Sequence, residues 1–210
     1  MERVILLHGL HMHAWAMKPF ARMLAQYGFD TTVFGYYSLI NTLPQHAAAL
    51  AQAVTRLNQS GEALHFVGHS LGGLVLRHFA AAYPEKISGR IVTLGAPHQG
   101  SSAAQRIDGM GLRTPLLGGS YASALDGHAP SLPVNIALGS LAGNKPQGLG
   151  RILGLSGEHD GTVKVAETVC PHMRDHVVLP VSHTGMLWNP VAALQTAEFL
   201  QHRYFRHDMA

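Results

Sequence analysis

Leu64-His65-Phe66-Val67-Gly68-His69-Ser70-Leu71-Gly72-Gly73 decides how the rest of the chain is read. The run from Leu64 to Val67 has strand character. The segment opening at Leu71 has helical spacing, with Leu76, Phe79 and Ala80 on one side and Pro84 as its stop. A serine with glycine at i−2 and i+2, set between a strand and a helix, predicts a sharp, strained turn. Such a turn lifts the hydroxyl off the end of a sheet. Glycine suits positions 68 and 72 because strand and helix approach too closely there for a Cβ. The N–H of Leu71 then lies at a helix N-terminus, where developing negative charge is stabilised.

Outward from this stretch, short apolar runs alternate with helical patterns. Strands are expected at residues 4–7, 31–34, 64–67, 91–94, 134–138 and 177–181. Most lack polar alternation, as strands covered on both faces do. Phe20, Met23, Leu24 and Tyr27 fall on one helical face, with Gly28 as a stop. Ala47, Leu50, Ala51 and Val54 mark a helix starting at Thr42, where Gln45 completes a capping box. Asn189-Pro190 opens a last helix carrying Val191, Leu194, Ala197 and Leu200. The expected fold class is α/β: about six mostly parallel strands with helices on both faces, in one domain over residues 1–210. In such sheets the site lies at the carboxyl ends of the strands. Residues 99–132 and 139–157 resolve into no clear element. Both are expected to begin at strand ends and to wall or cover a site.

Composition narrows the function classes. The 210 residues suffice for a well-buried core, and 47% apolar against 13% charged excludes a disordered chain. The net charge of +3 is not gathered into any Lys/Arg run, so no nucleic-acid partner is expected. Arg203 and Arg206 read as a solvated helix end. Cys170 is the single cysteine, which excludes an intrachain disulfide and a cysteine-built zinc site. A strand at Val4, directly after Met1-Glu2-Arg3, leaves no room for a signal peptide. No stretch is long and apolar enough for stable membrane insertion, so a cytoplasmic enzyme is expected.

A serine hydroxyl needs a base beside it, and the base needs an orienting carboxylate. Fifteen histidines compete for the first role. His183 follows the last strand pattern and so belongs at its carboxyl end. His69 adjoins the serine but should point elsewhere. His65 lies in a strand, His78 in a helix, and His172 and His176 ahead of the last strand. Those five read as packing or surface residues. For the carboxylate, Asp160 in Glu158-His159-Asp160-Gly161 is preferred over Glu158, because an Asp-Gly turn can hold a carboxylate rigidly. Asp108, Asp126 and Asp175 fall in the wrong places. A second oxyanion donor is expected from His8-Gly9-Leu10-His11, with the N–H of Leu10 paired with that of Leu71. His8 reads as a structural hydrogen-bonder. His11 and His13 lack the further ligands a metal would need, so no metal or cofactor is expected. His11, Met12, Met110, Leu112 and Met186 are expected around an apolar pocket.

Leu6-Leu7-His8-Gly9-Leu10, Gly68-His69-Ser70-Leu71-Gly72-Gly73, Gly95-Ala96-Pro97-His98-Gln99-Gly100, Asp160-Gly161-Thr162-Val163 and Ser182-His183-Thr184-Gly185 occur in this order. Together they resemble the lipase and esterase branch of the α/β-hydrolase superfamily, including small bacterial lipases and inositol-deacylase-like enzymes. The resemblance spans nearly the whole chain outside the two irregular stretches. It implies Ser70 as nucleophile, His183 as base and Asp160 as its orienter, with residues 95–100 lining the pocket and His98 without a chemical role. It implies hydrolysis of a small-molecule ester or lipid-like substrate through an acyl-enzyme. Thioesterase, amidase or acyltransferase chemistry could use the same three residues, and a non-catalytic binding module could use the same scaffold. The chain departs from larger relatives in lacking their leading antiparallel strand pair and a long cap. It has no acidic cluster for the calcium that some of them hold.

Overall fold

The computed structural model describes residues 1–57, 63–147 and 154–209. In β1 (Arg3–Leu7), Val4 and Leu6 turn to one face of the sheet and Ile5 and Leu7 to the other, and all four are fully buried. That is why the strand reads as an unbroken apolar run. It pairs in parallel with β2 (Asp30–Phe34) on one side and β3 (Leu64–His69) on the other. The sheet continues through β4 (Ile91–Leu94), β5 (Leu138–Gly143) and β6 (Asp175–Leu179), all parallel, in the order β2-β1-β3-β4-β5-β6.

Helices cover both faces. α1 (Lys18–Gln26) and α6 (Pro190–His202) share a core with Val4, Leu6, Val67, Val92 and Val177. α2 (Leu43–Leu57) and α3 (Leu71–Ala82) pack with Ile5, Leu7, Phe66 and Ile91 on the opposite side. The expected caps form. The Gln45 side chain accepts from the Thr42 N–H at 2.9 Å, and Asn189 Oδ1 accepts from the Ala192 N–H at 3.0 Å ahead of Pro190.

The strand order has one consequence for function. β1 is followed by α1 on one face, whereas β3 is followed by α3 on the other. The loops leaving these two neighbouring strands therefore diverge, and a crevice opens between them at the carboxyl ends. Gly9, Leu10, His11, Met12 and Ser70 line that opening.

Three expectations shift. The fifth strand lies at Leu138–Gly143, not at 134–138; Val134 is exposed. Its sequence Leu-Gly-Ser-Leu-Ala-Gly hides the strand, because bulk comes from the neighbours. A Cβ on Gly139 would stand 2.6 Å from the Phe199 ring of α6. So the stretch 139–157 is not an insertion at its start, and residues 148–153 lie outside the described chain. The last strand begins two residues earlier than expected. Residues 99–132 are largely helical: α4 (Ser102–Gly109), α5 (Arg113–Leu117), a 3-10 turn (Gly118–Ser120) and a π-helical turn (Tyr121–Leu125). Ser101 caps α4, its hydroxyl accepting from the Ala104 N–H at 3.1 Å. No helix among the described residues is long and apolar enough to cross a membrane.

Candidate active site

The turn at Ser70 has the shape its glycines foretell. Ser70 adopts φ 52° and ψ −119°, and its N–H is anchored to the Leu94 carbonyl at 2.8 Å. A Cβ on Gly68 would stand 2.5 Å from the Gly73 nitrogen, and one on Gly72 would stand 2.7 Å from the carbonyl oxygens of Leu7 and His8. Only glycine permits β1, β3 and α3 to meet this closely. Leu71 opens α3, so its N–H is among the first-turn donors with no carbonyl partner inside the helix.

The loop after β1 is aimed by His8. Its ring is buried and stacks on Tyr36, with centroids 4.3 Å apart and planes at 12°. The Tyr36 N–H donates to Nε2 at 3.4 Å, which makes Nε2 the acceptor and leaves Nδ1–H to donate to the Gly9 carbonyl at 2.8 Å. Burial pushes the His8 pKa down, favouring this neutral form. The Tyr36 hydroxyl donates to the His8 carbonyl at 2.6 Å, and the Met12 N–H also reaches Gly9 O, at 3.3 Å. With the Gly9 carbonyl held this way, the trans peptide points the Leu10 N–H in the opposite direction.

His183 and Asp160 meet although 23 residues separate them. His183 Nδ1–H donates to Asp160 Oδ2 at 2.6 Å, and the His183 N–H donates to the Asp160 carbonyl at 2.9 Å. Asp160 is 1% exposed. Its other oxygen accepts from the N–H groups of Thr162 and Val163 at 2.9 and 2.8 Å. A buried carboxylate with three charge-assisted partners is locked in orientation. In the neutral imidazole Nε2 then carries the free lone pair. Gly95, at φ 58°, lies against the pair; a Cβ there would stand 3.0 Å from Asp160 Oδ2 and 3.1 Å from His183 Nδ1.

Ser70, His183, Leu10, Leu71, His11 and Met12 line one cavity of about 340 Å³. Three expected pocket residues do not. Met110 and Leu112 are exposed beyond the end of α4, and Met186 is fully buried in the core under α1 and α6. A run of apolar letters carries no sign of which face of a short helix turns inward. Of residues 95–100, only Pro97 reaches the cavity. His98 is buried beneath it, bonded to the Thr93 hydroxyl at 3.0 Å, and burial pushes its pKa down to about 3. Glu158, the rival acid, is exposed, and Asp175 ties down the chain end by accepting from the Phe205 N–H.

Sequence reading missed two residues. His69 is buried, not merely packing material. Its Nε2–H donates to the His183 carbonyl at 3.0 Å, its ring lies 4.7 Å from that of His183, and burial pushes its pKa down to about 3. It braces the His183 loop from the turn at Ser70. Glu167 receives the Ser102 N–H at 2.8 Å and the Lys164 N–H at 3.0 Å, joining the start of α4 to the loop that carries Asp160. The His69–His183 and Ser102–Glu167 contacts have no local sequence signal, since the partners lie far apart along the chain. Among the described residues, no group of three metal-ligating side chains is brought together.

The parallel sheet, the elbow and the cavity above it define an α/β-hydrolase of the lipase, esterase and thioesterase type. The chain belongs to the palmitoyl protein thioesterase family, whose model matches residues 3–130. That stretch contains Ser70 and both loops beside it and ends before Asp160 and His183. A comparison with curated protein sequences gives no match. Among solved structures, the mature form of lipase BlEst2 from Bacillus licheniformis is similar at 20% identity and a TM-score of 0.78, over 96% of this chain and 91% of that one. Phospholipase PlaB from Legionella pneumophila is similar at 18% identity and a TM-score of 0.76, over 99% of this chain and 61% of that one. The metagenomic carboxyl esterase MGS0156 is similar at 18% identity and a TM-score of 0.69, over 93% and 73%. At these identities the likeness is one of fold.

Proposed function

We propose that this chain is a serine hydrolase that cleaves carboxylic esters through an acyl-enzyme on Ser70. The observation that carries the reading is the buried Asp160–His183 pair opening onto the same cavity as a strained elbow serine. Ser70 Oγ attacks the ester carbonyl while His183 Nε2 takes its proton. The N–H groups of Leu10 and Leu71 receive the oxyanion. His183 returns the proton to the departing alkoxide, giving an alcohol and a seryl ester. Water then attacks that ester, passes a proton to His183, and releases the acid with Ser70 restored. Asp160 keeps the imidazole in its productive tautomer and stabilises its charged form. His8 and His69 act as positioning residues for the Leu10 peptide and the His183 loop.

A thioester is the second reading, favoured by the family match over residues 3–130. A thiolate is a better leaving group than an alkoxide and depends less on protonation by His183. The deciding assay compares p-nitrophenyl esters with the matching thioesters and amides, alongside labelling by a fluorophosphonate probe. Ser70→Ala is expected to lower kcat by about 10⁴-fold or more with KM little changed, and to abolish labelling. Near-normal turnover in that variant would remove Ser70 from the chemistry.

A further inference from the structure

The cavity above Ser70 has two kinds of wall. One is built by the loops just described. The other is aliphatic and comes from the segment after β4: Ala103, Ala104 and Ile107 on α4, Leu117 on α5, and Leu125. Among the described residues, no Asp, Glu, Lys or Arg lines it. On α4, small side chains face the cavity at 103 and 104, and a branched one stands a turn further along at 107. Of these three side chains Ile107 is the bulkiest, and the two alanines take up the least space.

Volume sets the length. A cavity of about 150 Å³ admits a six-carbon ring, so by the same measure ten carbons need about 250 Å³ and sixteen about 400 Å³. The 340 Å³ present must also hold the reacting carboxyl group beside Ser70. The geometry points to an acyl chain of about eight to twelve carbons as the part of the substrate this cavity encloses, with Ala103 and Ile107 setting its length. This inference rests on the acyl-enzyme reading for its chemistry, but the enclosure of the chain can be measured without turnover. Carbons beyond about the twelfth exceed the enclosed volume and add nothing to binding.

The test uses two readouts. Straight-chain fatty acids from four to sixteen carbons are titrated calorimetrically into the Ser70→Ala protein, each below its aggregation limit. Affinity is expected to rise about fourfold per methylene and then level off near ten to twelve carbons. In the unmodified protein, kcat/KM for p-nitrophenyl esters of the same lengths is expected to break at the same point. Ala103→Phe should move both breaks to shorter chains, and Ile107→Ala should move both to longer ones. Opposite displacements cannot come from a general loss of fold. A rise without a break up to sixteen carbons, or no rise beyond four, overturns the length inference and leaves the hydrolase reading standing. A fatty-acid break with no ester or thioester turnover does the reverse.

Discussion

Ser70 sits at a backbone conformation that glycine reaches freely and a side chain does not. Ser70→Gly is therefore expected to raise stability by about 1 kcal/mol while abolishing fluorophosphonate labelling. Ser70→Ala keeps the Cβ and should gain none of this. Urea denaturation midpoints of the two variants against the parent check the difference. At this scale the sequence was informative wherever a residue's neighbours along the chain fix its role. Gly68 and Gly72 announce the close approach, and Asp160-Gly161 announces the turn that exposes a carboxylate to two backbone N–H groups. It was silent on His69, because the carbonyl that His69 holds belongs to a residue 114 positions later.

Elements were legible in proportion to their own side-chain bulk. β1, β3 and β4 carry apolar side chains on both faces, and their positions could be read within a residue or two. β5 could not, since Gly139 and Gly143 yield their space to Phe199 from α6 and to Met186. α4 and α5 are too short to show a period, and tertiary contacts hold them in place. Glu167 is the main such contact for α4: it fills the helix N-terminus with a buried carboxylate, where negative charge is favoured. Glu167→Gln is expected to cost about 1.5 kcal/mol in overall stability and to increase amide exchange across residues 102–109. Hydrogen-exchange mass spectrometry on the folded variant reads the second effect directly.

Across the molecule, buried imidazoles tie stability to pH. His69 and His98 are held neutral, each with a folded pKa near 3 against an ordinary 6.5. Between those values the unfolded chain binds more protons, so their contribution is complete above pH 6.5 and is lost as pH falls toward 3. From pH 7.5 to 5.5 each should remove about 1.4 kcal/mol of unfolding free energy. Burial lowers His8, His46, His65 and His176 in the same direction, steepening the fall. Unfolding midpoints measured at pH 7.5, 6.5 and 5.5 should decline in step, and a flat series would contradict the burial of these rings. The molecule also has a direction in time. Ser70 and the Leu10 and Leu71 peptides are all passed by residue 71, whereas Asp160 and His183 follow the strands at one margin of the sheet, late in the sequence. During synthesis Ser70 therefore leaves the ribosome before the Asp160–His183 pair that the proposed mechanism sets beside it. On the proposed mechanism, a nascent copy that has passed Ser70 but not yet His183 has no base for its hydroxyl and stays inert.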